Sequence, residues 1–179
     1  MKITIVCDNI VSDSFHESLA LGLAELGHEV VTVCFDGCCA DKEGCITIPD
    51  IRPVGSEALE NAVWDSDAVL ISVPSRLGLA AIRLCSAHCI PYAAEFSRQG
   101  ELTGFRRYVR HDPHSVMMSL RHVYKWYLQD ADAVIYRSYA DKRVFELSAD
   151  TADNSYVIPE KKNDSAAERY ADVLEAIHI

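Results

Sequence analysis

The chain has 179 residues, 49% hydrophobic and 25% charged, which is the size and makeup of one globular domain with enough apolar side chains for a full core. A formal net charge of −10 argues against a nucleic-acid binder, because phosphate contacts need a basic face. No apolar run approaches the roughly twenty residues that cross a bilayer, and an odd count of seven cysteines suits a reducing compartment, so a cytoplasmic protein, at most peripheral at the inner face of a membrane, is expected.

Lys2 to Cys7 is a β-branched run that predicts a first strand. Ser14-Phe-His-Glu17 reads as a capping box for a helix with Phe15, Leu19, Leu23 and Leu26 on one face, which Gly27 ends. Val30 to Phe35 and Ile46 to Ile48 predict strands two and three, and Ser56 to Ser66 a helix carrying Leu59 and Val63. Asp67 to Val73 predicts the fourth strand, Leu77, Ala81, Leu84 and His88 mark a helix that stops before Pro91, and Ile90 to Phe96 predicts the fifth strand. Asp112-Pro113 opens a helix with Met117, Leu120, Tyr124 and Tyr127 on one face. Ala133 to Tyr136 predicts a sixth strand, Ser138 to Asp141 cap the next helix, and Tyr156 to Ile158 predicts a seventh strand. After Ile158-Pro159 a polar stretch at 160–164 leads to a last helix with Tyr170, Val173, Leu174 and Ile177 on one face.

Strands that are continuously apolar and alternate with helices imply a doubly wound, Rossmann-like α/β fold, a mostly parallel sheet of about seven strands with helices on both faces. The expected organisation is a single domain over 1–179: a Rossmann-like body at 1–159, a short linker at 160–164 and a C-terminal helix at 165–179 packed back on the body.

Ligands of such sheets bind at the carboxyl ends of the strands. The loop there after strand one, Asp8 to Ser14, contains no glycine, so neither a dinucleotide fingerprint nor a P-loop is present and no cofactor is expected. Asp8 and Asn9 suit ligand hydroxyls or turn and capping duty. No serine sits in G-x-S-x-G. His16, early on the first helix, is a candidate acid or base or an ordinary helix histidine, and Glu17 and Glu25 read as surface charge. Glu95 falls inside the apolar Tyr92-Ala-Ala-Glu-Phe96, where a carboxylate must be paired, with Arg98 or Arg76, or face a cleft. Ser75 and Arg76 end the fourth strand as either a cleft rim or a turn. The spacing of Cys34, Cys38, Cys39 and Cys45 fits no common zinc pattern, so no metal is expected, and Cys7, Cys34, Cys85 and Cys89 read as small hydrophobes.

The window from Arg98 to Lys125 holds six Lys or Arg against two acidic residues, leaving it +4 on an acidic protein. Within it Gly104-Phe-Arg-Arg-Tyr-Val-Arg-His111 interleaves cations with aromatics. Arg106, Arg107 and Arg110 would hold a phosphate-bearing or lipid-linked ligand, and 104–127 is a candidate peripheral membrane contact.

Val73-Pro-Ser-Arg-Leu-Gly78, Ala80, Ala81, Ile90-Pro-Tyr92, Glu95 and Ala131-Asp-Ala-Val-Ile-Tyr136-Arg-Ser, with Gly27-His-Glu-Val30 and Val157-Ile-Pro159, resemble the N-terminal half of a two-Rossmann-domain (GT-B) glycosyltransferase of the group one branch, which builds polysaccharides and other glycoconjugates. The resemblance implies an acceptor-binding half-domain without the donor half, inactive alone and needing a separate donor-binding partner, and a C-terminal helix like the family's terminal one. It implies that Asp8, Asn9, Ser75, Arg76 and Arg98 line the acceptor cleft, that Arg106, Arg107 and Arg110 hold a glycan or lipid-linked acceptor, and that Glu95 or His16 is the base to test. The alternatives are a non-catalytic, partner-binding Rossmann-like protein that self-associates as a homo-oligomer, and a small flavodoxin-like or nucleotide-binding enzyme, which the glycine-free first loop disfavours.

Overall fold

Continuous apolar runs bounded by polar turns fold as parallel strands buried on both faces. In the computed structural model, described for residues 1–8, 14–35, 44–49, 56–73, 75–96, 128–146, 154–159 and 165–178, they form β1 (Lys2–Val6), β2 (Glu29–Phe35), β3 (Cys45–Ile48), β4 (Ala68–Val73), β5 (Tyr92–Phe96), β6 (Ala133–Tyr136) and β7 (Ser155–Val157). The sheet order is β3-β2-β1-β4-β5-β6-β7, every pair is parallel, and the chain reverses direction of travel between β3 and β4. Such a reversal creates the crevice where doubly wound sheets take ligands.

Among the described residues five helices cover the sheet: α1 (Ser14–Glu25), α2 (Glu57–Trp64), α3 (Arg76–His88), α4 (Tyr139–Glu146) and α5 (Ser165–Ile177). Because strand side chains alternate between faces, each strand feeds two cores. Val6, Val33, Val69, Ile71, Ala94 and Phe96 meet Leu59, Val63, Leu77 and Ala81 of α2 and α3. On the other face Ile3, Ile5, Leu70, Ala93 and Ile135 meet Phe15, Leu19 and Leu23 of α1 and Tyr170, Val173 and Leu174 of α5. The tail helix therefore lies against the main body, as its apolar stripe requires.

The turns follow the expected chemistry with some shifts. Gly27 ends α1 at φ +91, a conformation that favours glycine, and Ser138 caps α4, its Oγ accepting from Asp141 N–H at 3.0 Å. Leu26 lies past the last turn of α1 and is 45% exposed, so it does not share the face of Phe15, Leu19 and Leu23. His88 is likewise exposed and stacks on Trp64 at 4.7 Å, and Cys89 is an exposed left-handed cap at φ 55 where a buried thiol was expected. Burial does raise the Cys85 thiol, up to about 12, as fits a small hydrophobe. The helix expected after Asp112-Pro113 and the linker at 160–164 lie outside the described residues.

α1 and α5 touch through small residues. A Cβ placed on Gly22 would meet Ala167 Cβ at 2.6 Å, well inside contact distance, so α5 can seat at its present depth only over a glycine. Replacing Gly22 by valine is therefore expected to destabilise by roughly 1–3 kcal/mol through overpacking. Urea unfolding followed by circular dichroism checks this: the midpoint should fall with an unchanged slope.

Candidate functional site

Two polar groupings stand at the carboxyl edge of the sheet. The first surrounds the start of α3. Ser75 is its N-cap: Oγ accepts from Gly78 N–H at 2.7 Å and donates to the Ser72 carbonyl at 2.8 Å. Asp8, just beyond β1, accepts from the backbone N–H groups of Arg76 and Leu77 at 3.3 and 3.1 Å. The first helical turn thus has side-chain acceptors from two segments, which is where anionic oxygens are stabilised. Burial pushes the Asp8 carboxyl above its ordinary value, and those backbone donors oppose the rise. The Arg76 guanidinium lies 6.0 Å from the Phe35 ring. Asp8, Ser75 and Arg76 are therefore brought together, with Asp8 and Ser75 engaged in capping.

The second grouping lies on the opposite face, beneath α5. Glu95 is fully buried, with Ser72 of β4 and Ile135 of β6 opposite it in the sheet. Its Oε2 is 2.5 Å from Nε2 of His16, which is 2% exposed, and its Oε1 accepts from the Tyr170 hydroxyl at 2.9 Å. Arg137, directly after β6, places Nε 3.6 Å from Oε1 and stacks its guanidinium 4.0 Å from the Phe15 ring centroid. Phe15 also packs against the rings of His16 and Tyr170, at 5.6 and 5.8 Å. Three separate segments thus converge on one carboxylate. Burial alone would raise the Glu95 carboxyl, but His16, Arg137 and the Tyr170 hydroxyl outweigh it and hold the group below its ordinary value.

Among the described residues the partners of Glu95 are His16, Arg137 and Tyr170 rather than Arg76. Arg76 is on the α3 side of the sheet, and Arg98 lies outside the described residues, as do Asn9, Arg106, Arg107 and Arg110. Arg137 and Tyr170 take the pairing role. Arg137 follows Ile135 by two and so shares the face of Glu95, a relation that appears only once β5 and β6 are in register. Tyr170 sits in an apolar stripe that reads as pure packing, but a buried tyrosine hydroxyl needs an acceptor, and that requirement was its signal. Among the cysteines, Cys34 and Cys45 bring their sulfurs to 3.7 Å and Cys7 packs with them; Cys38 and Cys39 lie outside the described residues.

A depressed carboxylate contributes stability that is present above its unfolded value and is lost as pH falls through the folded one. Glu95→Gln removes the negative charge beside His16 and Arg137 and should cost about 3–5 kcal/mol at pH 7. Urea unfolding of both proteins across pH should show this gap closing as pH drops below the ordinary glutamate range; a constant gap would exclude an ionised Glu95.

No protein-family model matches the chain, and no curated protein matches it. Solved structures do. A piece of sucrose-phosphate synthase from Thermosynechococcus elongatus, designated 27_220_406_426, aligns over 100% of both chains at 15% identity with a TM-score of 0.65. The fuller structure of that synthase aligns over 91% of this chain and 49% of its own, at 14% identity and a TM-score of 0.64. A UDP-N-acetylglucosamine 2-epimerase aligns over 88% of this chain and 48% of its own, at 14% identity and a TM-score of 0.55. The chain spans about half the length of these fuller structures. Its fold is that of one Rossmann-like half of the two-domain GT-B enzymes, closed by a terminal helix.

Proposed function

We propose that the chain is the acceptor-side half of a GT-B glycosyltransferase, inactive alone and paired with a separate protein that carries the donor-binding half. The observation that carries this reading is the match of the fold, sheet body and α5 together, end to end with a piece of sucrose-phosphate synthase. The loop after β1 lacks the glycine that many such enzymes place there, close to the donor's phosphates, which supports a half that is inactive alone.

In this reading Asp8, Asn9, Ser75, Arg76 and Arg98 rim the acceptor cleft. Arg106, Arg107 and Arg110 offer forked donors to the phosphate of a lipid-linked glycan, with 104–127 as the contact to the inner face of a membrane, in polysaccharide biosynthesis. His16 and Glu95 are the candidate bases. Both are buried, so an acceptor hydroxyl reaches them only after the cover of α5 shifts. Among the described residues no helix is long and apolar enough to cross a membrane, which suits peripheral contact.

The same burial favours a second reading from another class: a non-catalytic, partner-binding protein that keeps the sheet as a scaffold and the Glu95 cluster as part of its core. In that case no acceptor binds.

Thermal-shift measurement with UDP and UDP-sugars tests the assignment to the acceptor side. The chain alone should move by less than about 1 °C, whereas the several degrees that about 2.7 kcal/mol of ligand binding gives would place the donor site here and overturn it. Vesicles carrying a polyprenyl phosphate test the acceptor role. Replacing Arg106 and Arg107 together by alanine should weaken binding roughly tenfold or more relative to phosphatidylcholine vesicles; equal binding by both proteins removes these arginines from the acceptor site.

A further inference from the structure

Five of the seven cysteines belong to one stretch of the fold: Cys7 directly after β1, Cys34 in β2, Cys45 at the start of β3, and Cys38 and Cys39 between the last two in sequence. The sheet brings three of them to one face. Cys7 N–H donates to the Val33 carbonyl at 3.1 Å, which sets Cys7 beside Cys34. Cys45 stands opposite Thr32, two residues before Cys34, and so shares its face. Cys7 and Cys34 are buried and Cys45 packs against them. The Cys34 and Cys45 sulfurs lie 3.7 Å apart, in van der Waals contact.

Their chemical states differ. Cys45 is disulfide-bonded, with a partner outside the described residues, whereas Cys34 carries a thiol. A sulfur able to act as nucleophile therefore touches one that already holds a breakable bond, the arrangement from which thiol–disulfide exchange starts. Cys34 is 0% exposed, so the core shields it from reagents in solution while leaving it against Cys45.

We propose that Cys34 and Cys45 form an internal exchange site, at which the Cys34 sulfur displaces the present partner of Cys45. Cys34 gives up its proton, and an electron pair on its sulfur makes the new bond to Cys45 Sγ. The pair of the old disulfide bond leaves with the former partner, which takes up the proton. One disulfide breaks and one forms, so no oxidant or reductant is consumed. The two sulfurs have to close from 3.7 Å to about 2 Å. Cys45 can supply that movement, because it opens β3, a four-residue strand at the end of the described sheet, and follows Gly44 at φ +81. The product ties β3 to β2 and hands the thiol to the residue that Cys45 held. The exchange site goes beyond the sugar-transfer reading and does not depend on it.

Disulfide mapping of the native full chain tests it. The protein is held without reductant for hours at about pH 8, close to the ordinary cysteine value, because uncatalysed rearrangement takes minutes to hours. It is then unfolded in mild acid, blocked with N-ethylmaleimide and digested, and the unreduced peptides are sequenced by mass spectrometry. A peptide joining Cys34 to Cys45 should come from roughly 1% of molecules or more. A smaller fraction, or a bond from Cys7 to Cys45 in its place, overturns the proposal. A variant with Cys38 and Cys39 both replaced by serine gives a second reading. Glutathione disulfide, itself reduced to two glutathiones, should join Cys34 to Cys45 in most molecules of that variant. Cys45 recovered there mainly as thiol or glutathione adduct also overturns it. No sugar or nucleotide enters either measurement, so failure leaves the glycosyltransferase reading where it was.

Discussion

A carboxylate with no access to water sits near the end of the fifth strand, and the arrangement around it depends on keeping that charge compensated. An isolated ion in such a place costs several kcal/mol, so the chain must deliver partners to it from elsewhere. It does so from three directions: a histidine from the first turns of α1, an arginine leaving β6 and a tyrosine from the tail helix. Each partner is fixed by its own packing, since Phe15 contacts the rings of His16 and Tyr170 and lies beneath the Arg137 guanidinium. The polar cluster and the apolar core on that face are therefore one assembly. Its geometry sets where α1 and α5 lie relative to the sheet.

That dependence explains why the sheet body carries a terminal helix. Without α5, Ile5, Leu70 and Ala93 would face water on one side of the sheet, together with Glu95. Burying three large side chains, Tyr170, Val173 and Leu174, is worth roughly 6 kcal/mol, comparable to the whole stability of a small domain. The close seat over Gly22 lets this burial be complete.

Much of this was legible before any coordinates. Strands β1, β4 and β6 were readable because a parallel sheet covered on both faces demands uninterrupted apolar runs, and Ala133 to Tyr136 came out with its expected ends. The reading of α5 also held, since Tyr170, Val173 and Leu174 recur at helical spacing. The identity of Glu95's partners was not legible. Arg76 lies on the α3 side of the sheet, whereas Arg137, 42 residues away along the chain, reaches Glu95 because pairing in a sheet is decided by register and face. Tyr170 was hidden differently: its ring satisfied the apolar pattern so well that its hydroxyl drew no notice. Cys89 and Leu26 were misplaced because periodicity says where a face lies but not where the helix stops.

The central claim is that the tail helix and the body are coupled through one buried carboxylate rather than merely stacked. A double-mutant cycle on Tyr170→Phe and Glu95→Gln, read by urea unfolding at pH 7, measures that coupling directly. The account predicts that the two losses fail to add by about 1 kcal/mol or more, because each variant removes the same interaction. Additivity within about 0.3 kcal/mol would mean that hydroxyl and carboxylate do not act on each other, and would contradict it.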